Sequence, residues 1–195
     1  MTKKIPLLSA LTALFAAVIC ASGFFRIPLG PVPIVLQNIV CLLTGLLLGG
    51  FTGSLPVLLF IAAGIIGLPV FSGGTGGIAV ILGPTGGFIP GYFLGALTAA
   101  LIAGKPSVEE KNKKLSSAIK LSVAVLAGMI VLYIPGVIRF SFWALGNNKV
   151  PVDKSVFAYT MGACVIPYIP GDILKMIAAV PVALKIRPVM AQYIK

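Results

Sequence analysis

Long apolar runs divide this chain of 195 residues and set the strongest limit on its fold. A helix needs about 20 mostly apolar residues to cross a bilayer. By that measure the sequence predicts six transmembrane helices, near residues 6–25, 34–49, 51–68, 88–103, 118–145 and 157–184. Because 58% of the residues are hydrophobic and only 10% are charged, a soluble surface is excluded. We therefore expect an all-α membrane protein that forms a single integral membrane domain over residues 1–195.

The basic residues predict the orientation of these helices. Loops on the cytoplasmic side of a membrane carry an excess of Lys and Arg. With the N-terminus inside, ten of the fifteen basic residues fall on the cytoplasmic side: Lys3, Lys4, Lys105, Lys111, Lys113, Lys114, Lys120, Lys185, Arg187 and Lys195. Both termini are therefore predicted to be cytoplasmic, and residues 104–117 form a cytoplasmic loop that joins two three-helix halves. Glu109 and Glu110 in that loop are expected to be solvated.

Three of the predicted helices have alternative interpretations. The first apolar run resembles a signal peptide, but no polar mature domain follows it, so an uncleaved first helix is favoured. The second and third runs meet at Gly49 and Gly50 and form either two helices or one broken unit.

An acid and a base lie three residues apart in the last apolar run, Asp172 and Lys175. A charge at the bilayer centre costs about 2.5–3.5 kcal/mol, so such residues usually face a protein interior or a polar cavity. The spacing places both on one helical face. Pro170 and Gly171 suit the first turn of a helix, where an acid interacts favourably with the dipole. The pair is either a structural ion pair or a ligand site in which Asp172 accepts hydrogen bonds and Lys175 meets an anion.

Two glycine-rich blocks lie on the predicted outer side, at residues 73–77 and 83–87. A segment containing Gly30, Pro31 and Pro33 precedes the second helix. Irregular backbone near membrane depth is tolerated where it is buried in protein or lines a cavity. Since no charge occurs between Ile27 and Gly104, we expect loops folded inward over the outer face. Their polar groups would include Thr75, Thr85, Gln37 and exposed backbone.

The sequence argues against several function classes. It contains no histidine, and the acids other than Asp172 are loop residues, which nearly excludes common acid–base catalysis. Gly104-Lys105 does not complete a phosphate-binding loop, so no ATPase is expected within the chain. The basic residues do not form an aromatic-interleaved nucleic-acid surface. The three cysteines, Cys20, Cys41 and Cys164, lack metal-ligand spacing. A self-sufficient facilitator or a proton-coupled carrier stays open as an alternative, although one acid beside a lysine is a poor proton relay.

Small residues recur every four positions in the first helix, at Ser9, Ala13 and Ala17. Such a face allows another helix to approach closely. The sequence leaves open whether that helix belongs to this chain or to a partner.

Several motifs together resemble the BioY family, the biotin-binding S components of energy-coupling factor (ECF) transporters. They are the segment 31–37, the segment 67–71, the two glycine blocks, and Pro170-Gly171-Asp172 followed by Lys175. The resemblance implies a six-helix S-component fold, a biotin site near the outer face of a prokaryotic cell membrane, and assembly with a transmembrane coupling protein and two ATPase subunits. It also implies that the coupling protein docks on the small-residue face of the first helix.

The resemblance further implies site residues. Asp172 and Lys175 match the family's ligand-binding acid and base, and Thr75 matches the polar position between Gly74 and Gly76. Where some relatives have an arginine after the second glycine block, this chain has Ile89. Arg26, Arg139 and backbone N–H groups are therefore candidates for binding the biotin carboxylate beside Lys175. Biotin is expected as a transported ligand, with no cofactor, metal or catalytic residue.

Overall fold

The computed structural model describes residues 4–28 and 32–194, and most of these residues are helical. Lys3, Lys195, Gly30 and Pro31, which entered the sequence argument, lie outside the described residues. The helices are α1 (Lys4–Ser22), α2 (Gln37–Leu48), α3 (Leu55–Ile65), α4 (Ile78–Leu82), α5 (Phe88–Ala103), α6 (Lys114–Gly146), α7 (Val156–Cys164) and α8 (Ile169–Ile194). Single 3₁₀ turns occupy Phe51–Ser54, Val108–Lys111 and Ile166–Tyr168.

A short antiparallel hairpin connects α1 to α2. Its strands are β1 (Arg26–Ile27) and β2 (Ile34–Val35), with Arg26 opposite Val35 and Ile27 opposite Ile34. Because Ile34 and Val35 pair as a strand, the second helix begins at Gln37 and not at the predicted residue 34. The hairpin thus brings Arg26 close to the start of α2.

Within the described residues, two helical segments are long and apolar enough to cross a bilayer, Lys114–Gly146 and Val156–Ile194. Four shorter apolar segments are Pro6–Ser22, Gln37–Leu48, Phe51–Ile65 and Phe88–Ala103. The helix predicted at 88–103 is confirmed. By contrast, α6 begins at Lys114, so the predicted loop 104–117 is shorter than expected. Six crossings and two cytoplasmic termini remain predictions.

The last predicted span consists of two helices and not one. α7 ends at Cys164, and Val165 leaves the helical conformation with φ −126° and ψ −66°. Pro167 follows in the 3₁₀ turn, and a proline has no N–H group to continue a helical hydrogen-bond ladder. α8 then starts at Ile169, with Asp172 in its first turn as predicted.

α5 and α6 pack closely because glycines lie at their contact. A Cβ atom on Gly95 would lie 2.6 Å from the Gly128 carbonyl oxygen, and one on Gly128 would lie 2.7 Å from the Gly95 carbonyl oxygen. α2 packs against both α5 and α8. On the opposite face of α6, Ile130, Ile134 and Ile138 are each more than half exposed. Apolar side chains at this four-residue spacing form one exposed apolar face of the helix.

A buried arginine joins the C-terminal part of α8 to the loop after α5. Arg187 is fully buried, and its Nε and Nη2 donate to the two carboxylate oxygens of Glu110 at 2.8 and 2.7 Å. The guanidinium also donates to the carbonyls of Leu46, Ala103 and Gly104. The expectation that Glu110 is solvated is therefore wrong, since its side chain is only 15% exposed. Glu109 is exposed, as expected.

Candidate ligand-binding site

A cavity of about 460 Å³ lies between the hairpin, the glycine-rich segments and the first turn of α8. Pockets for small molecules usually measure about 300–1,000 Å³ and combine apolar walls with a few polar groups. Its apolar and aromatic wall includes Val32, Phe71, Val80, Phe88, Ile89, Tyr92, Leu132, Cys164 and Tyr168. Its polar lining includes Arg26, Gln37, Asn38, Ser72, Thr75, Thr85, Tyr133, Asp172 and Lys175.

The predicted acid and base form an ion pair that lines this cavity. Lys175 Nζ lies 2.8 Å from Asp172 Oδ1, as the three-residue spacing indicated. Asp172 is 4% exposed. The same ammonium donates to the Val35 carbonyl at 2.8 Å and to Asn38 Oδ1 at 3.3 Å. The hairpin and the start of α2 therefore fix the position of Lys175.

Two further side chains hold Asp172 in place, and sequence reasoning missed both. Asn38 Nδ2 donates to Asp172 Oδ1 at 3.0 Å, and Tyr133 OH donates to Asp172 Oδ2 at 2.5 Å. Asn38 is itself oriented, because its Oδ1 accepts from the Ile39 N–H at 2.8 Å. The sequence does contain one indication of a role for Asn38, since it places a polar amide inside an apolar helix. Tyr133 had no comparable signal, since a tyrosine within a long apolar helix is also a common core residue.

Gln37 also lines the cavity, and its side-chain oxygen is a hydrogen-bond acceptor without a partner among the described residues. Its Nε2 donates to the carbonyls of Ile19 and Val70, at 3.2 and 2.7 Å. The side chain is fully buried, and Oε1 has no hydrogen-bond partner among the described residues. Leaving a buried acceptor unsatisfied costs about 1–3 kcal/mol.

The glycine-rich segments contribute to the cavity wall unevenly. Thr75 lines the cavity, is exposed, and donates its hydroxyl to the Ser72 carbonyl at 3.1 Å. Gly74 and Gly76 are not among the lining residues. Gly74 lies beside the Phe24 ring, and Gly76 lies against the Leu68 carbonyl. From the second block, Gly83 and Thr85 line the cavity, and α4 lies between the two blocks.

The two candidate arginines occupy different environments. Arg26 lines the cavity, whereas Arg139 does not. Arg139 Nη2 donates to the Leu82 carbonyl at the end of α4. Ile89 lines the cavity and is 5% exposed, so the wall is apolar at this position.

The small-residue face of α1 lies on the surface of the described structure. Ser9, Ala13 and Ala17 are all exposed, whereas Ala16 is 5% exposed and packs inward. The stripe therefore does not pack against another helix within residues 4–28 and 32–194. Those residues also contain no group of three or more His, Cys, Asp or Glu side chains that could hold a metal ion.

Lipid-facing apolar helices around a cavity with a buried, hydrogen-bonded ion pair characterise an integral membrane protein with a small-molecule pocket. The model of the BioY family matches residues 2–192. The chain belongs to the BioY family.

Two curated relatives and one solved structure show how closely the chain follows this family. It is 39% identical over 171 residues to the biotin transporter BioY of Rhodobacter capsulatus, covering 86% of each chain. It is 35% identical over 187 residues to the biotin transporter BioY of Rhizobium etli, covering 94% of this chain and 92% of the relative. The crystal structure of the S-component for biotin from an ECF-type ABC transporter superposes with a TM-score of 0.76 at 30% identity. That match covers 96% of this chain and 94% of the other.

Proposed function

We propose that this chain is the substrate-binding S component that captures biotin for ATP-driven uptake through an ECF complex. The observation that carries the proposal is the cavity lined by the Asp172–Lys175 pair, in a chain whose relatives are named biotin transporters. A transporter also fits the lack of a catalytic constellation in the sequence. Biotin is the transported ligand in this proposal and not a cofactor.

The hydrogen-bonding groups of the cavity suit the ureido ring of biotin. That ring has two N–H donors and one carbonyl acceptor. Asp172 carries acceptor capacity beyond its three bonds, since a carboxylate offers about four lone-pair sites. Gln37 Oε1 is a second acceptor, buried and without a partner among the described residues. The aromatic wall formed by Phe71, Phe88 and Tyr92 supplies apolar surface for the thioether ring.

The proposal includes the membrane arrangement and the partners. The chain would cross a prokaryotic cell membrane six times, with both termini in the cytoplasm and the cavity near the outer face. A transmembrane coupling protein and two ATPase subunits would supply the transport energy. Exposure of Ser9, Ala13 and Ala17 supports docking of the coupling protein on α1, because small residues permit close helix contact.

Substitution of the buried acid tests the ligand site. Asp172→Asn should weaken biotin binding by the purified chain about 10- to 150-fold, which corresponds to about 1.5–3 kcal/mol for a charge-assisted hydrogen bond. Asp153→Asn is the matched control, because Asp153 is exposed in the loop before α7. Equal biotin affinity in the two variants, with both folded, would show that Asp172 does not contact the ligand.

A further inference from the structure

The formal charges of the side chains that line the cavity do not sum to zero. Two cations line the cavity, Arg26 and Lys175, and one anion, Asp172. The three other acids of the chain, Glu109, Glu110 and Asp153, are not lining residues. The described cavity therefore carries one excess positive charge, which favours a ligand with one negative charge.

Lys175 is poorly placed to bind that negative charge. An ammonium group has three N–H donors. All three have acceptors in the structure: Asp172 Oδ1 at 2.8 Å, the Val35 carbonyl at 2.8 Å and Asn38 Oδ1 at 3.3 Å. Asp172 also neutralises its charge directly. A ligand carboxylate would have to displace one of these acceptors to reach Lys175.

Arg26 differs from Lys175, because its charged group has no acceptor among the described residues. Its guanidinium forms no salt bridge or side-chain hydrogen bond with any residue that the structure describes. The side chain lies over Gly73, where a Cβ atom would overlap the guanidinium, and Gly73 is fixed by a 2.8 Å hydrogen bond to the Gly23 carbonyl. The backbone of Arg26 is held opposite Val35 in the hairpin. Arg26 is thus an exposed cation on the cavity wall whose guanidinium has no partner among the described residues.

We propose that Arg26 binds the carboxylate of the ligand, and that Lys175 acts by orienting Asp172 and Asn38. A guanidinium offers two parallel N–H donors that match a carboxylate. This assignment rests on the proposed function, since biotin supplies the carboxylate. It replaces the sequence-based expectation that Lys175 meets the anion. Arg139 is not assigned to the ligand carboxylate, because its side chain hydrogen-bonds to the end of α4 and does not line the cavity.

The test compares biotin with biotin amide, which keeps the ureido and thioether rings but has no negative charge. The purified chain should bind biotin at least about tenfold more tightly than the amide, as charge-assisted hydrogen bonds are roughly twice as strong as neutral ones. Arg26→Gln should lower the affinity for biotin to that for the amide and leave amide binding unchanged. Arg26→Lys should recover part of the preference, because it restores the charge without the planar pair of donors.

Two further variants serve as comparisons. Arg139→Gln is the matched control and should keep the full preference for the acid. Lys175→Met should weaken acid and amide binding alike, because it disturbs the groups that hold Asp172. If Arg26→Gln keeps the preference for the acid, or loses affinity equally for acid and amide, the assignment of Arg26 is overturned. If the unaltered chain binds neither compound, the proposed biotin function itself fails.

Discussion

Removing Glu110 should destabilise the fold far more than removing its neighbour Glu109. Arg187 is fully buried and makes two hydrogen bonds to the Glu110 carboxylate, at 2.8 and 2.7 Å. The remaining partners of the guanidinium are backbone carbonyls, which carry no formal charge. In Glu110→Ala the guanidinium would stay buried without its counterion. Glu109 is exposed, so Glu109→Ala is a control that removes the same charge from the same loop.

The size of the effect follows from the burial of the pair. Breaking a buried ion pair by removing one partner costs about 3–5 kcal/mol, because an uncompensated charge remains. For a domain of this length each kcal/mol changes the midpoint of thermal unfolding by about 2–4 °C, so Glu110→Ala should unfold about 6–20 °C lower. Exposed residues usually contribute within about 0.5 kcal/mol, so Glu109→Ala should change the midpoint by at most about 2 °C.

Thermal unfolding of the purified chain in detergent would measure the difference. Arg187 and Asp172 are 15 residues apart on α8, or about 22 Å along the axis. Biotin affinity well below the unfolding transition should therefore be nearly unchanged in Glu110→Ala. Equal midpoints for the two variants would refute the reasoning and would mean that water or lipid satisfies Arg187 as well as Glu110 does.

Three further predictions concern the glycine-rich segments between residues 73 and 87, the small-residue face of α1 and the energy source for transport. Hydrogen exchange across residues 73–87 should slow when biotin binds, because residues of this segment line the cavity. Unchanged exchange at saturating biotin would show that this segment does not contact the ligand. Ala13→Trp should abolish co-purification with the coupling subunits and leave biotin binding intact. Leu14→Trp, at an exposed residue outside the small-residue face, is the control and should still assemble. Normal assembly of Ala13→Trp would show that the coupling protein does not dock on this face. The chain alone in liposomes should bind biotin without transporting it, and sustained transport would favour a self-sufficient carrier.

The features that the sequence predicted are those set by local spacing and hydropathy. The helix at 88–103 and the placement of Asp172 and Lys175 on one helical face follow from apolar length and helical periodicity, and both are confirmed. The position of Asp172 in the first turn of α8 follows from Pro170 and Gly171.

Other features depend on contacts between residues far apart in the chain. Tyr133 reaches Asp172 from α6, and Arg187 reaches Glu110 from α8, although 39 and 77 residues separate the partners. Hydropathy and local spacing carry no information about either pairing. α7 ends early because a 3₁₀ turn follows it, and α2 starts late because a hairpin strand precedes it. Both features lie within long apolar runs, so hydropathy does not reveal them.

Titration calorimetry of the purified chain with biotin tests the central claim most directly. We expect saturable binding of one biotin per chain without any partner subunit. Lipoic acid, which has the same pentanoate chain but no ureido ring, should bind much more weakly, because it cannot donate to Asp172 or Gln37. No binding of biotin, or equal binding of the two acids, would contradict a biotin site built on these residues.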